Sequence, residues 1–138
     1  MISLIIGKKG SGKTKHLVAL CDEAVAASNG NVVCVEKGAA LTYNLTHKAR
    51  LVNAEEFKIE GYDSLYGFVS GMCAANFDIT DVFIDATLRL GGRDYEQFAD
   101  FIEKLFTLAN VTNVKFTVTV SCDESEIPAR VFEFANKI

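Results

Sequence analysis

The residues best able to do chemistry stand in one short stretch, Gly7-Lys8-Lys9-Gly10-Ser11-Gly12-Lys13-Thr14. It fits the pattern G-x-x-x-x-G-K-[ST], whose chemistry is the binding of a nucleotide polyphosphate. Such a ligand carries several negative charges and needs many donors at close range. Gly7, Gly10 and Gly12 allow backbone at positive φ, so successive N–H groups can converge on one concavity. A helix opening behind the loop adds the positive end of its dipole. Lys13 supplies a point charge between the β- and γ-phosphates. Lys8, Lys9 and Lys15 add positive field around the mouth. The Thr14 hydroxyl is the expected Mg²⁺ ligand, with the remaining positions taken by phosphate oxygens and water.

Two carboxylates end apolar runs elsewhere in the chain. Asn31-Val32-Val33-Cys34-Val35 leads to Glu36, and Asp81-Val82-Phe83-Ile84 leads to Asp85. A strand-end aspartate of this kind has the form of a Walker B motif, which orients the water shell of Mg²⁺ beside the phosphates. Ala86 and Thr87 follow it. Glu36 offers a base placed to hold an in-line water against the γ-phosphate. Ser121 stands at the C-terminal end of the last apolar run. Glu36 and Asp85 each also have a plain reading: a solvated strand-end glutamate paired with Lys37 or Lys9, and an aspartate capping the next turn.

These residues need a scaffold that brings strand ends together. Residues 1–6 form a short apolar run, and over residues 12–28 Leu17, Cys21, Ala24 and Val25 recur at helical spacing, so the glycine loop joins a strand to a helix. Residues 31–36 read as the second strand and residues 50–53 as a short one. Residues 39–48 show no period and read as a loop. Leu65, Phe68, Val69, Met72 and Cys73 mark one face of a helix over residues 64–75. After Asp85, Gly91 and Gly92 lie in a loop, and residues 87–93 are the one candidate lid. Asp94 is the expected N-cap of the best helix, with Gln97 completing a capping box and Phe98, Phe101, Ile102, Leu105 and Phe106 on its apolar face to about residue 109. A strand follows from residue 113 to Ser121. Pro128 suits the first turn of a final helix over residues 128–136. Strands alternating with helices predict an α/β domain, three-layered with a mainly parallel sheet. Ligands of such sheets bind outside the carboxyl ends of the strands, where Gly7, Glu36, Asp85 and Ser121 all fall.

Composition narrows the partners. The chain has 138 residues, the size of a single domain, and a formal net charge of −4. A lysine-rich loop in an acidic chain favours a small anionic ligand over nucleic acid or an acidic membrane. Four cysteines occur without a C-x-x-C pair, and only His16 and His47 could join them, which predicts neither a zinc site nor a disulfide framework. Cys21, Cys34 and Cys73 read as small buried hydrophobes. No apolar run reaches the length of a membrane span and the chain opens on its first strand, so a reducing cytoplasm is the expected setting. No Asn/Thr-Lys-x-Asp guanine motif is present, which leans towards ATP over GTP.

The set Gly7 to Thr14, Glu36, Asp85 and Ser121, the last as the polar sensor of the γ-phosphate at a strand tip, resembles the RecA-like ATPases, a group that includes replicative helicases and the twitching-motility and secretion ATPases. In many ATPases of the wider superfamily a glutamate directly follows the Walker B aspartate. In the RecA-like group the glutamate instead closes the second strand, and a small or hydroxylic residue follows the aspartate. The whole chain is similar to a family of short Firmicutes P-loop proteins often labelled twitching-motility-type ATPases, on residues 5–15, 32–38 and 116–124. The resemblance implies a minimal RecA-like P-loop NTPase core with bound Mg-ATP. It does not imply pilus retraction, because the added N-terminal domain and the acidic and histidine boxes of true twitching ATPases have no counterpart in the sequence. RecA-like sites are often completed between subunits, so a homo-oligomer or protein partner is implied, with Arg89, Arg93 or Arg130 as the arginine for transition-state charge. Three activities stay open: a slow ATPase, a nucleotide-dependent binding module without useful turnover, and a small-molecule or nucleotide kinase.

Overall fold

A computed structural model describes residues 1–41 and 44–138. Among the described residues, six strands form one sheet: β1 (Ile2–Gly7), β2 (Asn31–Glu36), β3 (Arg50–Asn53), β4 (Ile79–Ile84), β5 (Lys115–Ser121) and β6 (Ala135–Lys137). Their order is β3-β2-β4-β5-β1-β6, and every pairing is parallel. Helix α1 (Lys13–Ala27) covers one face, where Leu17 and Cys21 pack on Ile5, Val32, Cys34 and Phe83. Helices α2 (Tyr62–Ala75) and α4 (Tyr95–Thr112) cover the other through Leu65, Val69, Phe98, Phe101 and Ile102. The alternation of β5 follows from these two layers. Phe116, Val118 and Val120 join the larger core below α2 and α4, while Thr117, Thr119 and Ser121 face the side of α1.

The short strand at residues 50–53 and the helix of residues 12–28 stand where their patterns place them. Part of the loop of residues 39–48 (residues 42 and 43) lies outside the described residues. Three local expectations change. Residues 87–91 form a short helix, α3 (Thr87–Gly91), whose Thr87, Leu88 and Leu90 are buried, so the segment packs into the core instead of projecting as a lid. Asp94 caps α4 by accepting from the Glu96 and Gln97 N–H groups, but the reciprocal capping box forms at Asp123 and Glu126.

The final helix is replaced by two 3₁₀ turns (Glu124–Glu126 and Ala129–Glu133) and strand β6. Pro128 stands before the second turn in an extended conformation. A helix of about nine residues is marginal by itself. The open edge of β1 offers a better partner, so Ala135 is buried against it and the Ile138 N–H donates to the Leu4 carbonyl at 2.9 Å.

Gly30 sets the entry into β2. A Cβ there would overlap the Asp78 carbonyl oxygen, a backbone atom that also accepts from the Asn31 N–H. A Gly30→Ala chain is expected to lose about 2 kcal/mol, the scale of overpacking a close-fitted site. Urea unfolding checks this: the midpoint falls while the slope stays constant.

Candidate functional site

The loop after β1 is shaped by its glycines. Gly10 and Gly12 take φ of +84° and +88°, the left-handed region where a side chain is strained. Gly7 does not have positive φ. A Cβ there would press on the Ser11 side chain, which would have to turn its hydroxyl away. The loop curls around Lys13, which is buried and donates from Nζ to the Lys8 carbonyl at 2.9 Å and to Ser11 Oγ at 3.4 Å. Lys9, Thr14 and Lys15 are exposed at the mouth. Lys8 is held outward by an ion pair with Asp123 at 3.5 Å. Helix α1 has no acidic residue in its first turn and Gly12 supplies no side-chain cap. Lysines therefore crowd the positive end of a helix dipole, an arrangement that is unfavourable by some tenths of a kcal/mol per charge until an anion arrives.

Sheet order and pleat bring the predicted partners to this loop. Strand β5 lies between β1 and β4, so the backbones of β1 and β4 run about 10 Å apart, two strand spacings, a gap that side chains can bridge. Glu36 shares the parity of Val32 and Cys34, and Asp85 that of Phe83, so both carboxylates turn to the face covered by α1. Asp85 meets the loop directly. The Thr14 hydroxyl stands 3.2 Å from its Oδ2 and 3.4 Å from its Oδ1. Ser121 pairs in register with Gly7 at the tip of β5, and its carbonyl accepts from Arg93 at 3.4 Å.

One member of the site was missed in the sequence. Thr119, fully buried on β5, donates to Asp85 Oδ1 at 2.7 Å and accepts from the Ala86 N–H at 2.7 Å. It thereby fixes both the aspartate and the turn that follows, where Ala86 is held at φ 55°. Its parity with Ser121 was the available signal.

Glu36 is buried and its Oε2 accepts from the Leu41 N–H at 2.9 Å. Burial pushes its carboxyl above the usual range. The Leu41 N–H pulls it back in part, and the charge of Asp85 pushes it further up. Among the arginines, Arg130 is already engaged by Glu96 at 3.0 Å and Asp100 at 2.9 Å, which removes it as a free cation for this site. Arg89, on α3, acts on Glu36 and lowers its carboxyl slightly. All four cysteines are free and buried, and among the described residues no group of three or more His, Cys, Asp or Glu side chains could hold a metal. Thr14 and Asp85 are hard oxygen donors, and Mg²⁺ needs only one or two such protein ligands beside phosphate and water. The donor set therefore fits that ion. No helix among the described residues is long and apolar enough to cross a membrane.

No protein-family model matches the chain, and no curated protein matches it by sequence. Solved structures do match. One is that of the pCW3 conjugation coupling protein TcpA, in a monomer form with ATPgS, at a TM-score of 0.56 and 14% identity. The match covers 95% of this chain and 46% of that one, so this chain spans about half of TcpA's length. At that identity the likeness speaks for the fold alone: a three-layer α/β domain on an all-parallel sheet.

Proposed function

We propose that this chain is a Mg-ATP-binding P-loop protein with slow ATPase activity at a RecA-like site, akin to the short Firmicutes proteins it resembles. The observation that carries the reading is the approach of Asp85 to Thr14 at the head of a lysine-rich loop. The loop N–H groups and Lys13 bind the phosphates, Lys13 exchanging the Lys8 carbonyl for phosphate oxygens. Thr14 and Asp85 hold Mg²⁺, which neutralises phosphate charge when bound. Glu36 orients the attacking water and takes its proton. Ser121 contacts the γ-phosphate from the β5 tip. Arg89 or Arg93 completes the transition-state charge in cis, or another copy of the chain does so in trans. An arginine in that role contributes about 10³–10⁵ in rate. Phosphate release that rises faster than linearly with protein concentration is therefore the mark of a site shared between copies. Buried free thiols suit a reducing cytoplasm.

A second reading has its own observation. Glu36 is already engaged by the Leu41 backbone, which favours a nucleotide-dependent binding module that signals through the segment after β2. The kinase reading loses its lid, since α3 is packed into the core.

Calorimetry with MgATP tests the nucleotide site. Replacing Lys13 by Ala should weaken binding roughly 10- to 100-fold, the scale of one or two charge-assisted hydrogen bonds. Equal binding by parent and variant would sink the reading.

A further inference from the structure

A second concavity opens at the carboxyl edge of the sheet, on the side away from β1. Its volume is about 280 Å³. Three cations line it from three separate segments: Lys37 just after β2, Lys58 in the turn after β3, and Arg89 on α3. Glu55 and Glu60 share the wall, yet none of the three cations makes an ion pair among the described residues. Lys58 is further held at φ 58°, a left-handed conformation that is strained for a lysine. Strain at a non-glycine residue that also carries charge into a concavity is a pointer to binding. Three cations against two carboxylates leave the hollow with a net positive charge that an anion can balance. Glycerol-sized ligands fit the volume, whereas a nucleotide does not need it, since the phosphate loop lies across β4 and β5 from here.

We propose that this hollow binds a small hydroxylated phosphomonoester, with Lys37, Lys58 and Arg89 around its phosphate and Glu55 and Glu60 accepting from its hydroxyls. A phosphate dianion presents three peripheral oxygens to three cations, and arginine matches two of them at once. The carboxylates explain why the site takes an organic ester and not bare phosphate, because they offer acceptors to a hydroxyl and repulsion to a lone anion. The proposal does not depend on Lys13, and with Arg89 committed to the hollow it leaves Arg93 or another copy of the chain to complete the nucleotide site.

The test is an amide NMR titration with glycerol 3-phosphate, inorganic phosphate and succinate as separate probes. Glycerol 3-phosphate should shift the amides of residues 37, 58 and 89. Lys58→Gln should weaken it about tenfold, and Arg89→Gln likewise, the scale of one charge-assisted hydrogen bond each. Lys13→Ala should leave it within about twofold, and Lys58→Gln should leave MgATP binding unchanged. Both altered side chains at the hollow are exposed, so dispersed spectra are expected for all variants. Shifts that disappear in Lys13→Ala would place the anion in the phosphate loop and overturn the proposal. Inorganic phosphate binding as tightly as the ester would overturn the organic part and make the hollow a station for free phosphate. Succinate binding as tightly would overturn the phosphate assignment.

Discussion

A Thr119→Val chain is expected to be about 3 kcal/mol less stable than the parent and to bind MgATP with a weakened metal dependence. The substitution keeps the shape and removes one hydroxyl. That hydroxyl is both the 2.7 Å donor to Asp85 Oδ1 and the 2.7 Å acceptor from the Ala86 N–H. Its loss leaves a carboxylate and a backbone donor without those partners, each worth about 1–3 kcal/mol when buried. The same exchange at Thr87 serves as the control. Thr87 is completely buried, but its Oγ1 has no partner among the described residues. Thr87→Val therefore removes an unpaired polar atom and should be neutral or raise stability by about 1 kcal/mol. Thermal and urea unfolding of the two variants should move in opposite directions. A Thr119→Val chain as stable as the parent would mean that Asp85 is held by Thr14 alone.

This pair shows what could be read ahead of the structure and what could not. The glycine loop is contiguous, so its glycines, Lys13 and Thr14 stand together in the sequence as they do in space. Glu36, Asp85 and Ser121 are far apart in the chain, but each ends an apolar run, and parallel strands gather their carboxyl ends without further information. Thr119 lies inside a run, where a β-branched residue is ordinary sheet packing. Only the order of strands, with β5 next to β4, turns it towards Asp85. The C-terminal segment failed for the same reason. Whether residues 135–137 coil or extend depends on the vacant edge of β1, more than 120 residues away, and local propensity has no access to that edge. Of the three loop glycines expected at positive φ only Gly10 and Gly12 adopt it, because spacing alone does not show which glycine of a motif must bend.

Glu36→Gln should lower phosphate release from Mg-ATP by roughly 10²–10⁴, the range for losing a general base, while leaving the fold as stable or more so. The two effects have one origin. Burial raises the Glu36 carboxyl above the usual range, which makes it a stronger base near neutral pH and a poorly accommodated anion. The folded chain holds that proton more tightly than the unfolded chain, whose glutamate titrates near about 4.3. The contribution to stability is thus fully present below that value. It is lost as pH rises through the raised folded value, because the unfolded chain releases its proton first. Glutamine cannot ionise, yet its carbonyl still accepts from the Leu41 N–H, so the variant keeps the contact and lacks the decline. Parent stability should fall with rising pH across this window relative to Glu36→Gln, read by urea midpoints at a series of pH values. A structural glutamate would show the opposite: lost stability with turnover untouched. Unchanged phosphate release in a variant that still binds MgATP would make Glu36 a bystander to chemistry. Its hydrogen bond to Leu41 would then be its main task, which is what a binding module relaying nucleotide state through the segment after β2 requires.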